Sequence, residues 1–157
     1  MGDSLRAKIT GWHPDGRGMA QLGRKTAFVS QAFPGEEVIF EIDRKSKKEL
    51  SGRVKRFVQK SSNRIEHSCG HEFECTGCPF LACPREVEED FKESKIRSIF
   101  EGVGVDLETC DFEMKSPSHV FGYRHYAKQV FGVSSGQVVL GSFVAGTHLL
   151  ADNERCP

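Results

Sequence analysis

Three cysteines within ten residues, Cys69, Cys75 and Cys78, constrain this 157-residue chain more than any other feature. They sit in a stretch, residues 60–83, that has neither helical nor strand periodicity and is dense in Cys, Gly, His and Ser. Such a segment buries too little apolar surface to offset the entropy of ordering it, so something must organise it. No run approaches the roughly 20 apolar residues of a bilayer span, and the charged start Met1–Lys8 lacks the apolar core of a signal peptide. The chain is therefore read as cytoplasmic. In a reducing compartment, clustered thiols bind metal or do chemistry rather than build a disulfide framework.

Two metal readings follow from the spacing. Cys69, Cys75 and Cys78 can wrap one face of an iron–sulfur cube whose fourth ligand arrives from far along the chain. Alternatively, Cys69, Cys75, Cys78 and Cys83 make a local zinc site, with His67 or His71 as substitutes. Gly77, between the last two cysteines, suits backbone that passes close to a bound group. Outside the triplet, Cys83 and Cys110 read as ordinary, partly buried thiols.

The charge balance, 22 cations against 22 anions, hides a polarised chain. Residues 1–62 hold thirteen cations and seven anions, while residues 63–108 hold five and eleven. Within the basic part, Leu5, Ala7 and Ile9, and then Val38, Phe40 and Ile42, alternate with polar neighbours as half-buried strands do. Asp15-Gly16, Gly23, a type II turn at Pro34-Gly35 and a hairpin tip at Ser46-Lys47-Lys48 punctuate them. About five short strands in some 60 residues predict a small OB-like barrel. Pro84 then opens a helix, with acids at Glu86, Glu88, Glu89 and Asp90 and bases at Lys92, Lys95 and Arg97, as the macrodipole favours. Val87, Phe91, Ile96, Ile99 and Phe100 form its apolar face, and Gly102 and Gly104 stop it. A second antiparallel β module begins near Tyr123, so the expected fold is mainly β. The expected modules are 1–62, 63–104 and 105–157.

A basic barrel points to nucleic acid, because Lys and Arg neutralise phosphates while barrel aromatics stack on bases. Candidate contacts are Arg17, Arg24 and Lys25 near the first turns, and Arg44, Lys45, Lys47 and Lys48 at the hairpin, although a charged tip serves equally as a solvated end. In the last module Arg124, with Lys128 and His125, is the corresponding candidate; its alternative is a surface ion pair with Glu113 or Asp152. Phe28, Phe33, Phe40 and Phe57 are expected in the core, and Trp12, at a strand end, is the better stacking residue.

Several of these segments carry a family resemblance. Ile9 to Trp12, Gly16-Arg17-Gly18-Met19-Ala20, Ala27-Phe28-Val29, Phe33-Pro34-Gly35-Glu36 and Ser62-Asn63-Arg64 resemble a TRAM domain, an RNA-binding OB-like barrel. Cys69 to Cys78, Pro79-Phe80-Leu81 and the acidic helix resemble the cluster region of SAM-dependent RNA uridine-C5 methyltransferases, which act on ribosomal or transfer RNA. Gly122-Tyr123-Arg124, Gly141-Ser142-Phe143, Ala145-Gly146-Thr147-His148 and Cys156-Pro157 resemble the central domain of the same family. The resemblance implies a 4Fe–4S cluster held by Cys69, Cys75, Cys78 and Cys156, leaving Cys83 outside the ligand set. It also implies a structured RNA partner, ribosomal ahead of transfer RNA, with neither DNA nor membrane expected.

The family's chemistry resides in a SAM-binding domain, and no glycine-rich strand-to-helix loop of that type occurs here. Gly132 to Gly136 reads as a turn between strands, and Gly16 to Gly23 lies in the barrel. These 157 residues alone are therefore expected not to methylate RNA. They read as the recognition part of such an enzyme or, alternatively, as a stand-alone RNA-binding or assembly module stabilised by a cluster or zinc.

Overall fold

The computed structural model describes residues 3–70, 75, 77–119, 121–123, 126, 128–134, 136–144 and 148–152. Its first six strands are β1 (Ser4–Lys8), β2 (Gly11–Trp12), β3 (Gly18–Leu22), β4 (Lys25–Ser30), β5 (Glu37–Lys45) and β6 (Glu49–Gln59). They form a sheet in the order β1-β5-β6-β4-β3-β2, antiparallel throughout except for the β4–β6 pair. The outermost strands, β1 and β2, are separated by just Ile9 and Thr10, so the sheet must curl until its two edges meet. At that bend Ile9 N–H donates to Glu36 O and Thr10 N–H to Met19 O, each at 2.8 Å. The expected barrel of about five strands thus has six segments because its first strand is bent, pairing β5 with one half and β3 with the other.

Alternation fills the interior. Ala7, Ile9, Ala20, Ala27, Val29, Val38, Phe40, Leu50 and Val54 point inward and are buried, with Phe40 fully enclosed. Truncating a ring in that position to alanine costs about 3–5 kcal/mol. The barrel's tightest corner lies where β5 crosses β6. A register shift between Ile42 and Arg44 marks a bulge, and a Cβ on the facing Gly52 would collide with the Glu41 carbonyl and the Phe40 ring. Glycine is required there by close approach of two backbones rather than by its dihedrals. The turns form as their residues predict: Gly35 has φ +89° with Glu36 N–H returning to Phe33 O, and Ser46 closes the β5–β6 hairpin through Glu49.

Beyond the barrel, the chain runs irregularly to Pro84, which opens α1 (Arg85–Gly102). The helix ends in a Schellman arrangement: Gly104, at φ +80°, donates to Glu101 O, and Val105 N–H donates to Phe100 O. The expected apolar face is used in its first half only. Val87 and Phe91 pack toward the barrel end, whereas Ile99 and Phe100 are exposed and no helix residue is fully buried. A 3₁₀ turn, Leu107–Thr109, follows; Asp106 caps it, and Arg97, held between Glu93 and Glu108, ties it back to the helix. The second sheet consists of β7 (Val130–Ser134), β8 (Gln137–Phe143) and β9 (Leu150–Asp152), all antiparallel. Gly132 belongs to β7, paired with Val139, so the turn expected over Gly132–Gly136 is shorter, with Gly136 at φ +79°. Among the described residues no helix is long and apolar enough to cross a membrane.

Candidate functional site

The chain leaving the barrel is locked to it by an ion pair that sequence reasoning did not find. Glu36, in the β4–β5 turn, is fully buried, and its carboxylate accepts from Arg64 Nε at 2.8 Å, Phe33 N–H at 2.9 Å and Ser61 N–H at 3.2 Å. Arg64 also donates to Gln31 O at 2.7 Å and lies over the Phe33 and Phe57 rings. A buried carboxylate is tolerated when charge and hydrogen bonds satisfy it together, as here. The turn Phe33–Glu36 and the exit Ser61–Arg64 are thereby a single structural unit. Next to it Trp12 stands with its ring centroid 5.3, 5.4 and 5.5 Å from those of Phe33, Phe80 and Phe91. The tryptophan expected to stack on bases instead joins the barrel end to α1 and the cysteine-bearing segment. Phe80 also lies over Gly16, whose φ of +89° and missing side chain admit the ring.

On that segment Cys69 and Cys75 are half-buried and Cys78 is exposed. The Cys75 sulfur accepts the Gly77 N–H at 3.3 Å and the Ser142 hydroxyl, from β8, also at 3.3 Å. Gly77 brings its backbone against that sulfur: a Cβ there would sit 3.3 Å from Cys75 Sγ. Soft thiol donors on irregular backbone, one of them polarised by two hydrogen bonds, are the donor chemistry that suits an iron–sulfur group. Among the described residues, however, no three Cys, His, Asp or Glu side chains are gathered as a metal-holding group. Cys156 and His71 lie outside the described residues.

Cys83 is a different kind of thiol. It is buried between Phe33 and Ala82, and burial, reinforced by the Glu88 charge, pushes its pKa up to about 11. Its enclosure beside Phe33 and Ala82 agrees with the plain packing role expected of Cys83. Cys110 is exposed, its Sγ 3.7 Å from Asp106 O.

The cationic candidates of the barrel, read in sequence as two regions, are neighbours in the fold. Lys25 Nζ donates to Ser46 O across the gap between the β3–β4 and β5–β6 turns, with Arg24 exposed beside it and Lys47 and Lys48 exposed at the hairpin tip. Arg17 is held by Asp15 through Nε and Nη2, and Nη1 donates to Ser51 Oγ at 3.2 Å. Burial alone would raise the Asp15 pKa. The hydrogen bonds from Arg17 and His13 outweigh it and hold the carboxyl well below the ordinary range. Its folded pKa lies beneath its unfolded one, so the clamp is intact above about pH 4 and is lost only in stronger acid. Phe28 departs from its expected core position: Ala27 and Val29 point inward, which turns Phe28 outward, half-exposed, against His13 and Arg17. Phe33 and Phe40 are buried as expected, and Phe57 packs at the core's margin. In the last module Lys128 is exposed, while Arg124 and His125 lie outside the described residues.

No family model matches the chain. It is 32% identical over 151 residues to the 23S rRNA (uracil(1939)-C(5))-methyltransferase RlmD of Halomonas elongata, covering 95% of this chain and 31% of that protein. The protein of the same name from Francisella tularensis is 31% identical over 158 residues, covering 97% of this chain and 34% of its own length. That of Legionella pneumophila is 32% identical over 127 residues, 80% of this chain and 28% of the relative. The chain thus spans about a third of the length of the curated relatives it matches, and their shared name is that of the family its motifs resemble.

Proposed function

We propose that this chain, similar over nearly its whole length to a third of the RNA uracil-C5 methyltransferases, is the RNA-recognising part of such an enzyme, with ribosomal RNA as its substrate. The observation that carries the reading is the near-complete coverage of the chain by relatives of one name, on a barrel whose exposed turns are basic. In this reading residues 1–62 are a TRAM barrel, 63–104 a cluster segment and helix, and 105–157 a partial central domain. Arg17, Arg24, Lys25, Lys47 and Lys48 neutralise phosphates from the barrel, with Arg124 and Lys128 contributing from the last module. Methyl transfer from SAM is assigned to the other two-thirds of the enzyme, and the cytoplasm is its compartment.

Cys69, Cys75, Cys78 and Cys156 are proposed to hold a 4Fe–4S cluster, supported by the donor types and by the Gly77 and Ser142 hydrogen bonds to Cys75. Bound there, the group supplies a covalent cross-link between the irregular segment and the far end of the chain, a staple of the sort small modules need. The residues of this chain do the rest: Glu36 and Arg64 fix where the segment leaves the barrel, and the Trp12 cluster fixes where α1 rests on it.

Anaerobic purification followed by an absorption spectrum near about 400 nm, with iron and zinc assays on wild type and Cys156→Ser, tests the cluster. A brown protein with about four irons, lost or labile in the variant, is expected. A colourless zinc protein indifferent to Cys156→Ser overturns the ligand set. Titration of structured ribosomal RNA fragments at moderate salt tests recognition, and absence of binding to any of them overturns it.

A further inference from the structure

The outer wall of the barrel carries a groove of about 380 Å³, bounded by the β2–β3 turn on one side and the β5–β6 hairpin on the other. That volume is at the small end of the range, about 300–1,000 Å³, in which proteins hold small ligands. Its floor is Phe28, whose ring contributes nothing to the barrel core because both its strand neighbours take the inward positions. The outward ring is partly buried by His13 and Arg17, and the part left open to solvent is aromatic surface on which a partner can pack.

The groups around that ring are organised. His13 stands edge-tilted to it, centroids 4.5 Å apart, and Arg17 lies over it with its guanidinium carbon 5.2 Å from the centroid. Arg17 is not a waving surface cation, since Asp15 and Ser51 hold three of its nitrogens. On the opposite wall stands Arg44, placed opposite Ser51 by the register shift that follows Ile42. A bulge of this kind re-aims a side chain, and here it delivers a second guanidinium to the same groove. Glu49 lines the hairpin side. A bare anion would meet that carboxylate, whereas a nucleobase brings amino or imino N–H groups that can donate to it.

We propose that this groove seats one unpaired nucleotide of RNA, its base stacked on Phe28 beside His13 and its flanking phosphates held by Arg17 and Arg44. The inference rests on the RNA-binding reading above and narrows it to one position on the barrel. It also separates two kinds of contact: Lys47 and Lys48 at the hairpin tip supply charge that any phosphate satisfies, while Phe28 requires a base free of its own helix.

The test uses the 157-residue chain and an RNA hairpin carrying 2-aminopurine in its unpaired loop. Binding by the wild type is expected to change the fluorophore's emission as the base restacks on protein. Phe28→Ala should weaken affinity by about 5- to 150-fold and remove the emission change. Phe28→Trp should keep both. Arg44→Ala should weaken affinity several-fold and lower the salt slope by about one while retaining the emission change. Because Phe28 lies outside the core, unchanged circular dichroism in the variants will show that the barrel is intact. If Phe28→Ala binds and reports like wild type, the groove is overturned while RNA binding stands; if the wild type binds no RNA, both fall.

Discussion

The barrel and the second sheet are made of the same material, short alternating strands, and finish in opposite states. In the barrel the inward row is buried almost completely, and the bent first strand brings the two edges of the sheet together at Ile9 and Thr10. In the three-stranded sheet Phe131, Val133 and Val138 are 75%, 74% and 76% exposed. Val133 is paired directly with Val138 and Phe131 with Leu140, so these apolar side chains share one face. The other face has some cover: Leu150 packs so closely on Gly132 that no Cβ would fit there. Alternation therefore makes a strand, but only closure or a second layer makes a core. The barrel buries its own apolar row, whereas among the described residues the sheet leaves the Phe131, Val133 and Val138 face open.

If that contrast is right, the largest losses of stability come from the barrel's closing contacts. Glu36→Ala leaves the Arg64 charge and two backbone N–H groups buried without their acceptor, and is expected to cost about 3–5 kcal/mol in urea unfolding of the whole chain. Thermally this corresponds to a drop of roughly ten degrees. Gly52→Ala comes next, at about 1–3 kcal/mol, because its new methyl group must push two paired backbones apart at the bulge. A Glu36→Ala protein as stable as wild type would show that the exit segment is not locked to the barrel.

Much of this architecture was legible in the sequence, and what was not shares a physical reason. Pro34-Gly35, Ser46-Lys47-Lys48 and Pro84 act through their own dihedrals and hydrogen bonds, so their turns and the helix start could be read locally. The Glu36–Arg64 pair joins residues 28 apart and has no local signature; a lone glutamate after Pro-Gly looks like any solvated turn acid. Phe28 was misplaced because the run Ala27-Phe28-Val29 is apolar on both faces, so periodicity cannot say which face turns inward. Small residues at Ala27 and close packing by Val29 decide it, and that decision depends on the strands opposite. The packing of Trp12 is hidden from the sequence for a related reason: its partners Phe80 and Phe91 come from segments nearly 70 and 80 residues away. For the cysteines, spacing selects a donor set, while the fourth ligand proposed above, Cys156, stands more than 70 positions downstream of the triplet.

A smaller effect sharpens the contrast at the thiols. At pH 8 Cys83 should react with a maleimide at least about 100-fold more slowly than exposed Cys110, since its pKa of about 11 stands about two units above the ordinary thiol value and it is also enclosed. The linkage follows in sign. Between about pH 9 and 11 the unfolded thiol has released a proton that the folded one retains, so stability declines as pH rises through that window. Equal labelling of both thiols at pH 8 would place Cys83 in an open, ionised setting and return it to the candidate ligands.

The smallest expected change belongs to the exposed sheet face. Val133→Thr with Val138→Thr keeps β-branched side chains on paired strand positions and removes two methyl groups that already face water. Little burial is lost, so the unfolding free energy should change by no more than about 0.5 kcal/mol, well below the loss for Glu36→Ala. Solubility should rise, because a row of apolar groups on an uncovered sheet favours association between chains. A loss of more than about 1 kcal/mol would mean that these valines are covered in solution, and the sheet would then be as complete a structure as the barrel.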